Sequence, residues 1–130
     1  MTIDTVRIDE QGREQLIWLK RHTKIETFNI LCRWALCISL AEPTRPPSRI
    51  FKGEAAADMT WKVFGGGHPD IYLALVKARC RRDGLPTDDA TVYEQFRLHV
   101  HRGLGYLVAD KELRSIDALV RKLDAHRRAA

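Results

Sequence analysis

The pattern of apolar and polar positions predicts a short strand and then two helices in the first 43 residues. Val6 and Ile8 alternate with polar neighbours, and this period of two is typical of a strand with one apolar face. Asp9, a residue type that often caps helices, precedes a charged helix whose last turn carries Lys20, Arg21 and His22. A second helix is predicted from Phe28 to Ala41.

This second helix is the most apolar segment of the chain. Its polar exceptions are Asn29, Arg33 and Ser39. Because a helix that is apolar nearly all round must be covered, we expect it to lie in the core and between subunits. Its apolar stretch is about half of the ~20 residues that a bilayer span needs and is interrupted by Arg33, so a transmembrane helix is not predicted. The residue before Pro43 should end it.

The rest of the chain predicts further short elements. Residues 42–57 contain three prolines and read as a surface connection. A second strand is predicted at 59–64, followed by a glycine run at 65–67. Helices are then predicted at 69–82, from about residue 88 until Gly103 and Gly105 loosen or end it, and at 110–127. We therefore predict one mainly α domain over 1–130, with about five helices, one or two short strands and an N-terminal strand-helix-helix order.

The charge balance favours a polyanionic partner. The net charge is +5 and the pI is about 9.4. Candidate contacts cluster at the first inter-helix turn, beside two aromatic residues, and at the end of the 69–82 helix. They are Lys20, Arg21, Lys24, Lys62, Arg79, Arg81 and Arg82. For any one cluster taken alone, a solvated helix end is the better explanation of the charges.

The cysteines and the N-terminus indicate a cytoplasmic protein. Three cysteines are an odd number, and no basic start followed by an apolar run marks a secretory signal. Cys32 and Cys37 point to different faces of one helix, so they make a poor metal pair. We expect all three thiols to be small buried apolar groups.

No residue constellation predicts catalysis, a metal or a cofactor. His99 and His101 are two apart and point in opposite directions on a helix, unlike the i,i+4 pair of a helical zinc site. The glycine run before a helix suits an anion, yet it lacks the ending of a nucleotide-binding P-loop. The acidic residues have no spacing that specifies a site for strand cleavage. Tryptophans at 18, 34 and 61 are expected to be core or interface anchors, with stacking on exposed bases as the alternative.

Two tryptophan-containing segments carry a resemblance that covers most of the chain, from residue 3 to about 123. They are Cys32-Arg33-Trp34-Ala35-Leu36-Cys37 within 32–43 and Met59-Thr60-Trp61-Lys62-Val63-Phe64 within 59–66. Shorter matches lie at 71–75, 79–80 and 101–107. Together they resemble the DndE family of DNA sulfur modification proteins.

The resemblance implies a role in DNA phosphorothioation, in which sulfur replaces a non-bridging phosphate oxygen. It implies a small homotetramer that binds double-stranded DNA, prefers nicked duplex and has no catalysis of its own. Its implied partners are a cysteine desulfurase, an ATP-pyrophosphatase-like sulfurtransferase and an ATPase. It transfers no catalytic residue to this chain.

Three alternatives remain open from the sequence. The strand-helix-helix order resembles ribbon-helix-helix proteins, in which Thr5 and Arg7 would reach base edges as part of a sequence-specific regulator. A second alternative is a nickase of the same modification system. The third is a scaffold with little DNA affinity, whose apolar helix binds other proteins.

Overall fold

A computed structural model describes residues 3–51 and 57–110 together with Val120 and Asp124. The described part is mainly helical with one two-stranded sheet, which confirms the predicted fold class. In chain order the elements are β1 (Thr5–Ile8), α1 (Glu10–Thr23), α2 (Phe28–Ala41), β2 (Ala57–Thr60), α3 (Trp61–Gly65), α4 (Pro69–Arg82) and α5 (Asp89–Ala109). The helix predicted at 110–127 lies outside the described residues, apart from Val120 and Asp124, which are helical.

The sheet joins the start of the chain to the middle. β1 and β2 are antiparallel, with Thr5 opposite Thr60 and Ile8 opposite Ala57. Val6 and Ile8 are buried, as the alternating pattern predicted. β1 therefore pairs within its own chain.

The strand predicted at 59–64 is wrong beyond its first two residues. β2 ends at Thr60, whose hydroxyl accepts a hydrogen bond from the Val63 amide (3.1 Å) and so caps α3. The helical turn brings Trp61 and Phe64 to the same side, where both rings lie 5.0 Å from the ring of Phe96. An alternating strand would have separated these two rings.

The core forms where α2 crosses α5. Leu31, Ala35 and Leu36 of α2 have no exposed surface, which confirms that this helix is largely buried. Its opposite side reaches the surface at Ile30, which is 38% exposed.

The expectation that Gly103 and Gly105 would loosen or end the fourth predicted helix is also wrong. α5 continues to Ala109, and Gly103 lies directly against the backbone of Ala35. A Cβ on residue 103 would stand 1.9 Å from the Ala35 carbonyl oxygen. The glycine thus permits the close approach of two helices, which can outweigh its poor helix propensity.

The described part of the predicted surface connection, residues 42–51, has no helix or strand and is mostly exposed, as expected. Pro46 is buried, and Arg49 Nη2 lies 2.6 Å from Asp9 Oδ2 at the start of α1. The guanidinium of Arg97 lies 4.0 Å above the ring of Phe51. Arg49 and Phe51 thereby connect this segment to α1 and α5.

Candidate nucleic-acid interface

Three of the predicted contact residues meet at the end of α1. Lys20 and Arg21 lie in its last turn, and Lys24 caps the helix in a left-handed conformation with φ 63°. All three side chains are exposed, and they line a shallow cavity of about 400 Å³ together with Ile17 and Glu26. We call Lys20, Arg21 and Lys24 the α1-end cluster.

Lys62 lies near the beginning of α2. It is exposed on α3, and the next residue, Val63, accepts a hydrogen bond through its carbonyl from Asn29 Nδ2 (3.3 Å). Asn29 is the second residue of α2, and Lys24 precedes that helix by four positions. Lys62 and the α1-end cluster therefore flank the same end of α2.

Arg79 is turned into the protein and is not part of this surface. It is only 5% exposed, and its Nε donates to Asp83 Oδ2 at 3.0 Å. Its Nη1 and Nη2 atoms donate to the carbonyl oxygens of Leu40, Glu42, Pro43 and Thr44 at 2.8–3.2 Å. A phosphate would have to displace this set of bonds, so we leave Arg79 out of the proposed interface.

Arg81 and Arg82 are exposed, but they belong to another region. The bond from Arg79 to Leu40 places the end of α4 beside the end of α2. α2 has 14 residues and is therefore about 20 Å long at 1.5 Å per residue. Arg81 and Arg82 thus lie at the opposite end of α2 from the α1-end cluster, and the two groups cannot hold the same phosphate.

Two backbone amides at the glycine run bond to the protein itself. The Gly66 amide donates to the Lys62 carbonyl and the His68 amide donates to the Gly65 carbonyl, both at 3.0 Å. Gly66 has φ 59°, which glycine adopts without strain. These bonds describe a tight turn into α4 and occupy the Gly66 and His68 amides. Phosphate binding by the glycine run stays a prediction.

The two histidines lie on opposite sides of α5, as their spacing predicted. His99 Nδ1 is 2.8 Å from the hydroxyl of Ser39 on α2, and that hydroxyl also accepts from Arg102 Nε. Burial, followed by the charges of Arg79 and Arg102, lowers the pKa of His99 to about 3. The neutral imidazole is therefore a packing group that joins α5 to α2.

His101 faces the junction of β1 and α1. Its Nδ1 lies 2.7 Å from the Arg97 carbonyl, which requires a proton on Nδ1 and leaves Nε2 to accept from the Asp9 amide (3.3 Å). Burial lowers the pKa of His101. Although its Nε2 also lies 3.3 Å from Asp9 Oδ1, a neutral ring makes no ion pair there. The charged partner of Asp9 is Arg49.

The tryptophans differ in their surroundings. Trp61 packs on the aromatic core, as expected. Trp18 stacks on His22 with 3.9 Å between ring centroids. Trp34 is half-buried in a cavity that also contains Arg33, a residue that the sequence marked only as an interruption of the apolar helix.

The thiols are mostly buried, as predicted. Cys32 and Cys80 are buried, and burial raises the pKa of Cys32 to about 12. Cys37 is partly exposed and lines the same cavity as Trp34.

The parts of the chain that the structure describes contain neither a metal-binding cluster nor a membrane span. No group of three or more His, Cys, Asp or Glu side chains among the described residues is placed to hold a metal ion. None of the described helices is long and apolar enough to cross a membrane.

Comparison with known proteins supports the resemblance seen in the sequence. No curated protein matches the chain. The profile of a family described as DNA sulphur modification protein DndE matches residues 5–115, which is most of the 130 residues. The chain therefore belongs to the DndE family, whose description places it in DNA sulfur modification.

Proposed function

We propose that this protein is the DNA-holding subunit of the phosphorothioation machinery. In this proposal it binds duplex DNA through phosphates, prefers nicked duplex and leaves the sulfur chemistry to the cysteine desulfurase, the sulfurtransferase and the ATPase. It acts in the cytoplasm as a homotetramer.

The observation that carries the proposal is a set of exposed, unpaired cations at one end of α2. Within the described part of the chain, no carboxylate pairs with the α1-end cluster or with Lys62, whereas Arg49 and Arg79 both have carboxylate partners. Unpaired surface cations release counterions from DNA when they meet phosphates, and this supplies most sequence-independent affinity. Phosphate contacts also suit a subunit that positions DNA without reading its sequence.

Oligomerisation would multiply the effect of this charge. Four copies at +5 each would carry about +20, which would steer DNA strongly at low salt. Ile71 and Leu75, one turn apart on α4, are 54% and 43% exposed. In the proposed tetramer these two side chains would be buried in a subunit contact. Analytical ultracentrifugation tests this premise, and a monomer would refute the tetramer.

The ribbon-helix-helix alternative has less support. In that architecture the strand pairs with the strand of a second copy. Here β1 pairs with β2 of its own chain, and Thr5 and Arg7 border a cavity shared with the first turns of α5. The Arg7 carbonyl also accepts a hydrogen bond from Arg97 Nε (3.0 Å).

Fluorescence anisotropy on intact and singly nicked duplexes of the same sequence tests the proposal. We expect tighter binding to the nicked duplex, a steep salt dependence and no new strand breaks on a parallel gel. New breaks in intact duplex would identify a nickase, and no binding even at low salt would favour the scaffold. Affinity that depends on the DNA sequence would favour the ribbon-helix-helix type of regulator.

Variants that remove positive charge test whether the α1-end cluster and Lys62 form the DNA-binding surface. For each subunit that faces the DNA, replacing Lys20, Arg21 and Lys24 together by Gln should lower the slope of log affinity against log salt by about 2.7 units, and Lys62→Gln should lower it by about 0.9. The matched control replaces three other exposed arginines, at 7, 13 and 45, by Gln. An equal loss in the control would show that net charge acts without a defined surface.

A further inference from the structure

Arg33 is a cation without a partner on the apolar helix α2. Among the described residues none makes a hydrogen bond or an ion pair with its guanidinium, and its Nε is buried without an acceptor. A buried, unpaired donor of this kind costs free energy that an acceptor would recover. The unpaired guanidinium therefore indicates an anionic ligand that another molecule supplies.

The glycine turn fixes the orientation of the guanidinium. A Cβ placed on Gly66 would lie 3.2 Å from Arg33 Nη2 and 3.3 Å from both Cζ and Nη1. Nearly equal distances to these three atoms mean that the planar group lies flat against residue 66. Its Nη edges then remain available to donate two parallel hydrogen bonds to phosphate or carboxylate oxygens.

The space beside Arg33 is suited to an aromatic ring. Arg33 lines a cavity of about 230 Å³ with Ile30, Trp34, Cys37 and Tyr72. Trp34 and Tyr72 pack against the core but are only partly buried, and both line this cavity. The volume is below the range of pockets for drug-sized ligands, but the combination of a cation and aromatic faces matches one phosphate and one base.

The cavity adjoins the DNA surface proposed above. Gly66, on which the guanidinium rests, donates its amide to the carbonyl of Lys62. A strand whose phosphate is held by Lys62 would thus pass beside Arg33.

We propose that Arg33, Trp34 and Tyr72 bind a single unpaired nucleotide of the DNA, with the guanidinium on its phosphate and the base against the two rings. This inference rests on the proposed function, because it assumes that DNA reaches Lys62. It adds a site that only a broken or frayed strand can fill, since a stacked, paired base cannot enter a cavity of this size.

Cys37 provides a reporter inside the cavity. The free protein, a complex with intact duplex and a complex with a nicked duplex carrying a one-nucleotide flap are treated with iodoacetamide. Mass spectrometry then follows each cysteine, with buried Cys32 and Cys80 as internal references. We expect Cys37 to react in the free protein and in the intact-duplex complex, and to react at least about fivefold more slowly with the flap duplex. Equal protection by the two duplexes would overturn the inference, as would a Cys37 already covered by another chain in the free protein.

Two substitutions supply an independent measurement. Arg33→Gln and Trp34→Leu should each reduce affinity for the flap duplex about tenfold, the order expected for loss of one phosphate or stacking contact, and leave affinity for intact duplex within about twofold. Arg45→Gln, at an exposed position outside the cavity, is the control. If Arg33→Gln weakens both duplexes equally, the residue is an ordinary phosphate contact and the inference fails while the DNA-holding function stands. Absence of wild-type binding to either duplex would instead refute the proposed function.

Discussion

Gly103→Ala tests whether the crossing of α2 and α5 sets the stability of the fold. The added Cβ would stand 1.9 Å from the Ala35 carbonyl oxygen and 2.4 Å from its carbonyl carbon. Real Cβ atoms essentially never come within 3.0 Å of another atom, so the two helices would have to separate by about 1 Å. The obstructing atoms belong to the backbone and cannot rotate away, so the core between the helices must loosen.

Two opposing effects set the expected change in the free energy of unfolding of Gly103→Ala. Overpacking a core typically costs about 1–3 kcal/mol and sometimes more, while exchanging glycine for alanine inside a helix returns up to about 1 kcal/mol. Because the clash is with backbone, we expect a net loss of about 2 kcal/mol or more in the free energy of unfolding. Urea unfolding followed by circular dichroism measures it, at fixed protein concentration because an oligomer's stability depends on concentration.

Gly105→Ala is the matched control on the same helix. The nearest atom to its added Cβ is Gln15 Nε2 at 4.0 Å, which is an ordinary contact distance. This variant should gain about 0.5–1 kcal/mol from helix propensity. If Gly103→Ala is as stable as Gly105→Ala, the close approach of α2 and α5 is not a constraint and the reasoning is refuted.

Three further predictions concern stability. Arg79→Lys should lower the free energy of unfolding, measured in urea, by about 3 kcal/mol, because an ammonium cannot make all the hydrogen bonds of the planar guanidinium. The control Arg82→Gln, at an exposed position, should change it by under about 0.5 kcal/mol. Similar values for the two variants would contradict the internal role of Arg79. His99 has a native pKa of about 3 against an ordinary 6.5, so the unfolded chain binds the extra proton and stability should fall on acidification from about pH 6.5 toward 3, by up to about 1.4 kcal/mol per pH unit. His99→Gln should weaken this dependence in urea titrations at pH 7 and 5, and an unchanged dependence would exclude His99 as its source. Thr60→Ala should cost about 1 kcal/mol through loss of the α3 cap, and no change in the urea midpoint would show that the cap is dispensable.

Local signals in the sequence were sufficient for much of the fold. The predicted bounds of α2 and α4 match the structure because both helices are delimited by neighbouring residues, a proline after one and a proline at the start of the other. The α1-end cluster was also predictable, since residue 24 follows residues 20 and 21 by about one helical turn whatever the rest of the chain does.

Other features needed contacts between residues distant in the chain. The sequence pattern around Trp61 and Phe64 is compatible with either a strand or a helix. The helix is the conformation that lets both rings contact Phe96. Gly103 reads as a helix breaker until the backbone of Ala35 is placed beside it.

The arginines show most clearly which properties depend on neighbouring residues in the chain and which depend on tertiary contacts. Sequence alone determined that the chain is basic and which helix ends carry the charge, because composition and periodicity are properties of neighbouring residues. It did not determine that Arg79 turns inward onto the end of α2, that Arg81 and Arg82 lie at the opposite end of α2 from the α1-end cluster, or that Arg33 stands unpaired beside Trp34. Only the tertiary structure decided these points, because whether a guanidinium meets carbonyls, solvent or an empty cavity depends on the elements that fold against it.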